Sequence, residues 1–325
     1  MKALRFDKFG DPLKVLKLEE IPDPQVGNDE VRIKITYRSI NPSDLYLISG
    51  EYGIKPNLPA TPGLEGTGYI DAVGPNVTNL KVGQRVIPLR IAGTWKEYLI
   101  AKSGQVIPVP DELKDQTAAQ LLVNPMTAFI LCTKELALKK DQWLLQTAAG
   151  STLGRIVLQI AKLKGFKTLN FVRRPAQIEE LLNLGADAVI CTEDKDVLGQ
   201  VMKITKKGVH AGIDSVGGRT GSLALQSLRP GGTLIVYGLL SSELTPINAR
   251  DLIFKETVIR GFWLNGWFTR TPPNVMLATL RELLELATRQ QIVPPVEAEY
   301  DLTNFKAALE HSMRSGRHGK VLLRS

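Results

Sequence analysis

The stretch QTAAGSTLGRIVLQIAKLKG, residues 146–165, decides how the chain folds. It continues an apolar run, QWLLQTAA, of the kind that forms a buried strand. Leu153, Ile156, Val157, Ile160 and Leu163 then recur at helical spacing. Only small residues lie between the two, including Gly150 and, just inside the helix, Gly154. A strand that passes into a helix through small residues lets a pyrophosphate approach the backbone N–H groups of the helix N-terminus, where larger side chains would obstruct it. The fingerprint is incomplete, because Thr152 stands where another glycine is usual, and small residues also serve close strand–helix packing. Read in its setting, the loop predicts a dinucleotide site.

That setting is a strand–helix alternation on the C-terminal side. KTLNFV reads as the next strand, followed by a helix from about Pro175 to Leu184, and then ADAVI, AGIDSV, GTLIVYG and TVIRGF read as further strands. Alternation of this kind implies right-handed crossovers and a doubly wound parallel sheet. Upstream, short alternating strands such as VRIKITY, separated by Gly/Pro-rich turns, suggest an irregular β-domain. Downstream, the amphipathic helix VMLATLRELLELATRQ leads to VEAEYDL, a last helix and a terminal strand GKVLLR. The expected layout is a nucleotide domain over residues 123–267, inserted into a split β-rich domain formed by residues 1–122 and 268–325, with the substrate in a cleft.

The second strand bears on the cofactor. An NAD site usually carries an acid roughly 20 residues after the loop, to hold the ribose diol. Here Arg173 comes 19 positions (173 − 154) after Gly154, Arg174 follows, and no acid precedes them. Guanidinium groups can bind a 2′-phosphate that a carboxylate would repel, so NADPH is expected. The other reading is a pair of exposed arginines that open a helix.

Composition sets the outer bounds. At 325 residues the chain exceeds a usual single core, and 43% apolar with 23% charged residues is the make-up of a globular protein. No apolar run reaches membrane-spanning length, and MKALRFDKFG is neither a signal nor a transit sequence, so a cytoplasmic protein is expected. Cys132 and Cys191 lie far apart in apolar surroundings and read as core residues. The net charge of +8 suits phosphorylated or acidic partners, but its basic pairs are scattered and no RNA-recognition motif interleaves them, which argues against nucleic acid.

Outside the nucleotide loop, PGLEGTGYIDAVG (62–74), INPSDLYLISGEYG (40–53), VNPMTAF (123–129), LIFKETVIRGFWLNGW (252–267) and EHSMRSGRHGK (310–320) complete the pattern. The whole chain resembles the medium-chain dehydrogenase/reductase superfamily. Within it, the chain is most similar to the zinc-free 2-enoyl thioester reductases of the mitochondrial enoyl-CoA/ACP type, and next to the quinone oxidoreductases. The resemblance implies a Rossmann sheet inserted in a GroES-like catalytic domain. Zinc dehydrogenases of the superfamily carry a cysteine ligand at the position of Asn41 and a histidine at that of Leu64. With three histidines and two cysteines in the chain, neither a catalytic nor a structural zinc site can be assembled.

The resemblance therefore assigns the polarising role to Tyr52, in SGEYG, which would hydrogen-bond the thioester carbonyl or deliver a proton as hydride arrives. It places Asn41, Asn124 and Thr127 near the cofactor, Gly150, Ser151, Thr152 and Leu153 on the pyrophosphate, and Arg173 and Arg174 on the 2′-phosphate. Tyr237 and Gly238 fall at a strand's carboxyl edge, Phe262, Trp263 and Leu264 match the segment that meets the carboxamide, and Lys320 matches a late lysine near the cofactor. Asn124 can also be read as a helix cap, Phe262 as core, Lys320 as a surface charge and Glu65 as a brace for the active-site loop.

The implied activity is NADPH-dependent reduction of the C2=C3 bond of a trans-2-enoyl-CoA or acyl-carrier-protein thioester. The alternatives are a zinc-free NADPH:quinone or other activated-alkene reductase, and a non-catalytic NADPH- or RNA-binding protein. The superfamily commonly pairs through an edge strand, so a homodimer is expected, with TVIRGF as the candidate edge.

Overall fold

The computed structural model describes residues 1–325 and divides into two units, Met1–Val123 with Val293–Ser325, and Asn124–Ile292. In the first unit, β1 (Lys2–Arg5) pairs antiparallel with β2 (Lys17–Glu20). The long strand β3 (Glu30–Ser39) buries Val31, Ile33 and Ile35 on one face and turns Arg32 and Lys34 away, the period-2 alternation seen in its sequence. Helix α1 (Pro42–Ser49) starts on a proline and stops at Gly50, whose φ of 84° is left-handed. Then come β4 (Thr67–Val73), β5 (Arg85–Pro88), β6 (Tyr98–Lys102) and β7 (Val106–Pro108). Beneath β3, Val31, Ile33, Ile35, Ile70, Val86 and Leu99 make one core, and Leu4, Phe6, Ile48 and Trp95 belong to a second.

The second unit opens with α2 (Asn124–Ile130), followed by β8 (Trp143–Gln146), α3 (Thr152–Lys164), β9 (Lys167–Val172), α4 (Gln177–Asn183) and β10 (Ala188–Cys191). Strands β11 (Val209–Asp214), β12 (Leu228–Val236) and β13 (Val258–Gly261) complete a six-stranded sheet. Every pairing in it is parallel, in the order β10-β9-β8-β11-β12-β13. The first strand thus lies inside the sheet and the order reverses between β8 and β11, the switch point where doubly wound folds bind nucleotides. Helix α3 buries Ile156, Val157 and Ile160, with Lys162 and Lys164 in its last turn. Helices α5 (Leu264–Arg270) and α6 (Pro273–Thr288) follow the sheet.

The return segment brings β14 (Val296–Asp301), α7 (Phe305–Met313) and β15 (Lys320–Arg324) back to the first unit, where β15 pairs antiparallel with β3 and parallel with β14. The first boundary falls one residue from the expected position, but the second lies at 292/293 rather than 267/268. The reason is α6, which packs against α2, and whose Glu282 pairs with Lys164 of α3 at 3.1 Å and with Lys134 at 3.8 Å. Its amphipathic pattern gives the helix but not the surface that receives it.

Candidate active site

In the first unit, the loop before α1 and the glycine turn 62–66 meet around buried charge. Gly63 has a φ of 108°, and the backbone and side chains of Thr94 and Trp95 fill the space a Cβ would need. The turn sends Glu65, 1% exposed, inward. One of its carboxylate oxygens accepts from the Ser39 hydroxyl and from Asn41 Nδ2 at 2.8 Å, and the other accepts from the Val123 N–H at 2.8 Å. Asp44, fully buried, accepts from the Asn41 N–H at 2.8 Å and from the Leu64 N–H at 2.9 Å, joining α1 to the glycine turn. The Lys320 ammonium donates to the Ile40 carbonyl at 3.4 Å.

Burial dominates the titration of all three charged groups. It raises Asp44 to about 7, helped by the Glu65 charge and opposed by the Asn41 N–H and Lys320. It also raises Glu65, against the hydrogen bonds from Ser39 and Asn41. It lowers Lys320 to about 8, although both acids favour the charged ammonium. The cluster is therefore a brace. Asn41 spends its side-chain N–H groups on Glu65 and Ser39, and Lys320 is 5% exposed, so both expected cofactor residues lie inside this internal network.

Tyr52 sits in the turn after α1. Its N–H donates to the Tyr46 carbonyl at 3.0 Å, and its half-buried ring packs against the core cluster that holds Phe6 and Ile48. Nothing in the donor set fits zinc. Asn41 and Leu64 stand at the expected ligand positions, and no three His, Cys, Asp or Glu side chains are grouped to hold a metal ion.

In the second unit, the remaining candidates except Asn124 and Thr127 follow the carboxyl ends of parallel strands. Gly150–Leu153 follow β8, Arg173 and Arg174 follow β9, Tyr237 and Gly238 follow β12, and Phe262–Leu264 follow β13. Gly154 lies against the Ala149 backbone and has no room for a Cβ, which lets α3 start close to its strand. Ser151 caps α3, accepting from the Gly154 N–H at 3.2 Å. Thr152 takes the first helical position without a left-handed φ, so its branched side chain brings no backbone strain. Leu153 is 5% exposed, leaving its N–H as the group it can offer a phosphate.

Buried polar groups fix these strand ends. Gln146 donates to Asn170 Oδ1 at 2.7 Å and to the Gly154 carbonyl at 3.1 Å. Asp214 accepts from the Thr147 hydroxyl at 2.7 Å and from the N–H groups of Val216 and Gly217. Gly238 crosses Ser215 too closely for a side chain. Burial pushes the half-buried Tyr237 phenol up, and the nearby Asp214 charge adds a smaller push the same way. Phe262 is buried, as its core reading expects, while Trp263 is 39% exposed. Asn124 and Thr127 lie on α2, which packs against α3. Arg173 is exposed and Arg174 half-exposed, and neither is paired with a carboxylate. A helix N-terminus built from small residues, with two unpaired guanidinium groups after the next strand, fits a dinucleotide bearing a 2′-phosphate.

Sequence reasoning missed Asp44, Asp214 and Arg155. A signal existed for Asp44, three residues after Asn41 at the head of a proline-started helix, where an acid can close a capping arrangement.

A doubly wound nucleotide unit, together with a β-rich unit that lacks metal ligands, defines a zinc-free, NADPH-dependent oxidoreductase. Residues 27–111 match the family described as alcohol dehydrogenase GroES-like domain, and residues 152–283 match that described as zinc-binding dehydrogenase. The chain is 34% identical over 331 residues to the mitochondrial enoyl-[acyl-carrier-protein] reductase of Bos taurus, covering 99% of this chain and 88% of that protein. The Arabidopsis thaliana protein of the same name has the same identity and coverage. A solved structure of a candidate NADPH:quinone reductase from Bacillus thuringiensis matches with a TM-score of 0.93 and 36% identity, covering 100% of this chain and 98% of that one. The complex of ETR1P with NADP and crotonyl-CoA matches with a TM-score of 0.90 and 25% identity, covering 100% and 99%. The chain belongs to the medium-chain dehydrogenase/reductase superfamily, in its zinc-free branch of enoyl and quinone reductases. One expectation is corrected by these relatives. They are named mitochondrial, which overturns the cytoplasmic assignment. That assignment rested on the lack of a membrane-length apolar run and on the first ten residues, neither of which reports a compartment.

Proposed function

We propose that the protein reduces the C2=C3 bond of trans-2-enoyl thioesters of CoA or acyl carrier protein. NADPH, when bound, would supply the hydride that C3 accepts. Negative charge then grows on the thioester oxygen, and the Tyr52 hydroxyl hydrogen-bonds that oxygen or passes a proton toward C2. The observation that carries this reading is Tyr52 itself. It lies in a turn tied to α1, in a chain whose metal positions hold Asn41 and Leu64, so a phenol stands in for the missing electrophile. Gly150, Ser151, Thr152 and Leu153 hold the pyrophosphate, and Arg173 and Arg174 hold the 2′-phosphate. Tyr237, Gly238, Phe262, Trp263 and Leu264 line the nicotinamide end, with Asn124 and Thr127. The net charge of +8 suits CoA phosphates or an acidic carrier protein.

Quinone reduction is the second reading, favoured by the 36% identity to the Bacillus thuringiensis protein. NADPH oxidation with crotonyl-CoA, compared with a simple quinone, separates the two. Turnover of the thioester, lost in Tyr52→Phe while NADPH still binds, supports the first. Turnover of quinone alone replaces it with the second.

The same unit carries a surface suited to a second copy. Strand β13 is the free edge of the parallel sheet; its own Val258 is 48% exposed, and Ile253 and Phe254, on the segment that leads into it, are 64% and 73% exposed. A homodimer through this edge predicts a solution mass of twice 35.8 kDa, and a monomer mass removes it.

A further inference from the structure

Arg155 is a buried charge on the nucleotide unit that the proposed reaction does not use. It sits on α3 between Gly154 and Ile156 and is 8% exposed. Its Nε donates to the Gly150 carbonyl at 3.1 Å, and its Nη2 donates to Glu180 Oε1 at 2.6 Å. Glu180 belongs to α4, the helix that opens directly after the Arg173–Arg174 turn. The turn and helix are joined by the Gln177 N–H, which donates to the Arg174 carbonyl at 3.1 Å. The Gln177 side-chain amide also occupies the space a Cβ on Gly150 would need. Two links, one ionic and one of packing, therefore tie the loop after β8 to the turn after β9.

We infer that Arg155 and Glu180 form a strut that sets the spacing between the pyrophosphate loop and the 2′-phosphate turn, and so are positioning residues for NADPH over NADH. Burying a guanidinium is costly unless it is paired, and an apolar side chain would fill the helix face without that cost. The retained charge thus has a geometric task. Within one cofactor molecule the pyrophosphate and the 2′-phosphate are a fixed number of bonds apart, so both can be held only if the two protein segments keep their distance. NADH has no 2′-phosphate and so lacks the charged contact to the second segment. A strut fault therefore acts on NADPH and spares NADH, whereas a general loss of fold acts on both.

The inference rests on Arg173 and Arg174 taking the 2′-phosphate and on nothing about the substrate. Equilibrium titration of NADPH and NADH fluorescence on the full chain, with no substrate present, tests it. Glu180→Gln should weaken NADPH binding about tenfold, equivalent to about 1.4 kcal/mol, and leave NADH within about twofold. Arg155→Met, which also frees the Gly150 carbonyl, should weaken both cofactors. The double variant should bind NADPH no worse than Arg155→Met alone, because the two side chains act through one contact. Equal weakening of both cofactors by Glu180→Gln, no change, or tighter NADPH binding would each overturn the strut. An Arg173→Ala/Arg174→Ala protein measured alongside separates the two ideas. If it loses NADPH selectively and Glu180→Gln does not, the phosphate site stands and the strut falls.

Discussion

Removing both arginines after β9 tests the cofactor reading most directly. Arg173 is exposed and Arg174 half-exposed, and neither holds a carboxylate. Arg173→Ala/Arg174→Ala therefore removes no internal ion pair and should leave the melting temperature within about 2 °C, the scale of a surface change. The loss at the cofactor is another matter. A hydrogen bond to a charged partner contributes about 1.5–3 kcal/mol, and two guanidinium groups on one phosphate could reach twice that. Their exposure lets water and salt screen them, which brings the expected sum to about 2–3 kcal/mol. That is a rise of about 30- to 150-fold in the NADPH dissociation constant. NADH affinity should not move, because the ribose 2′-hydroxyl carries no charge to pair. Fluorescence titration at low and high salt reads both quantities. Added salt should erode the preference for NADPH in the wild type and leave the variant nearly unchanged. Equal losses for NADPH and NADH, or a preference that survives the double substitution, would refute the assignment of these residues to the 2′-phosphate.

Three further outcomes follow from the site. Gly154→Ala places a methyl group against the Ala149 backbone, which cannot yield as a side chain would, so the gain of about 1 kcal/mol in helix propensity is outweighed. Chemical denaturation should show a net loss of about 1–3 kcal/mol, with both cofactors bound more weakly. Tyr52→Phe should lower kcat by about 10²- to 10⁴-fold, the usual contribution of a positioned acid, and should leave the dissociation constant for NADPH unchanged by titration. Lys320 gives a pH signature. Its folded value, about 8, lies below its ordinary 10.5, so between these limits the unfolded chain binds more protons and wild-type stability rises with pH. Lys320→Met removes that rise, and its denaturation midpoint from pH 8 to 10.5 should be flat or falling. A curve parallel to the wild type would place the ammonium in water, away from Glu65 and Asp44.

Much of the nucleotide unit was legible because its information is local. The apolar run before Ala148, the stripe through Ile156, Val157 and Ile160, and the small residues between them fall within one strand–turn–helix, and the structure keeps each of them in place. The zinc-free expectation came instead from the family resemblance, which sets Asn41 and Leu64 at the ligand positions of the zinc dehydrogenases. What remained hidden is polar and buried. Periodicity sorts residues by hydrophobicity, so Arg155 on α3 reads as a solvent-facing position although it is 8% exposed. Lys320 reads from its position near the end of the chain as a cofactor lysine or a surface charge, yet β15 carries it into the unit that also buries Glu65 and Asp44. The acids that tune Lys320 lie on distant segments, and no period in the chain links them. A buried ion pair leaves no pattern of its own, because each partner's burial depends on the other's arrival from elsewhere in the fold. For that reason the candidates for phosphate binding could be named from sequence, whereas the side chains packed behind them had to come from the structure. Glu65 and Arg155 carry the same lesson in the two units. Each is a charge whose several bonds go to backbone or to neighbouring side chains, and each takes its meaning from the loop it fixes.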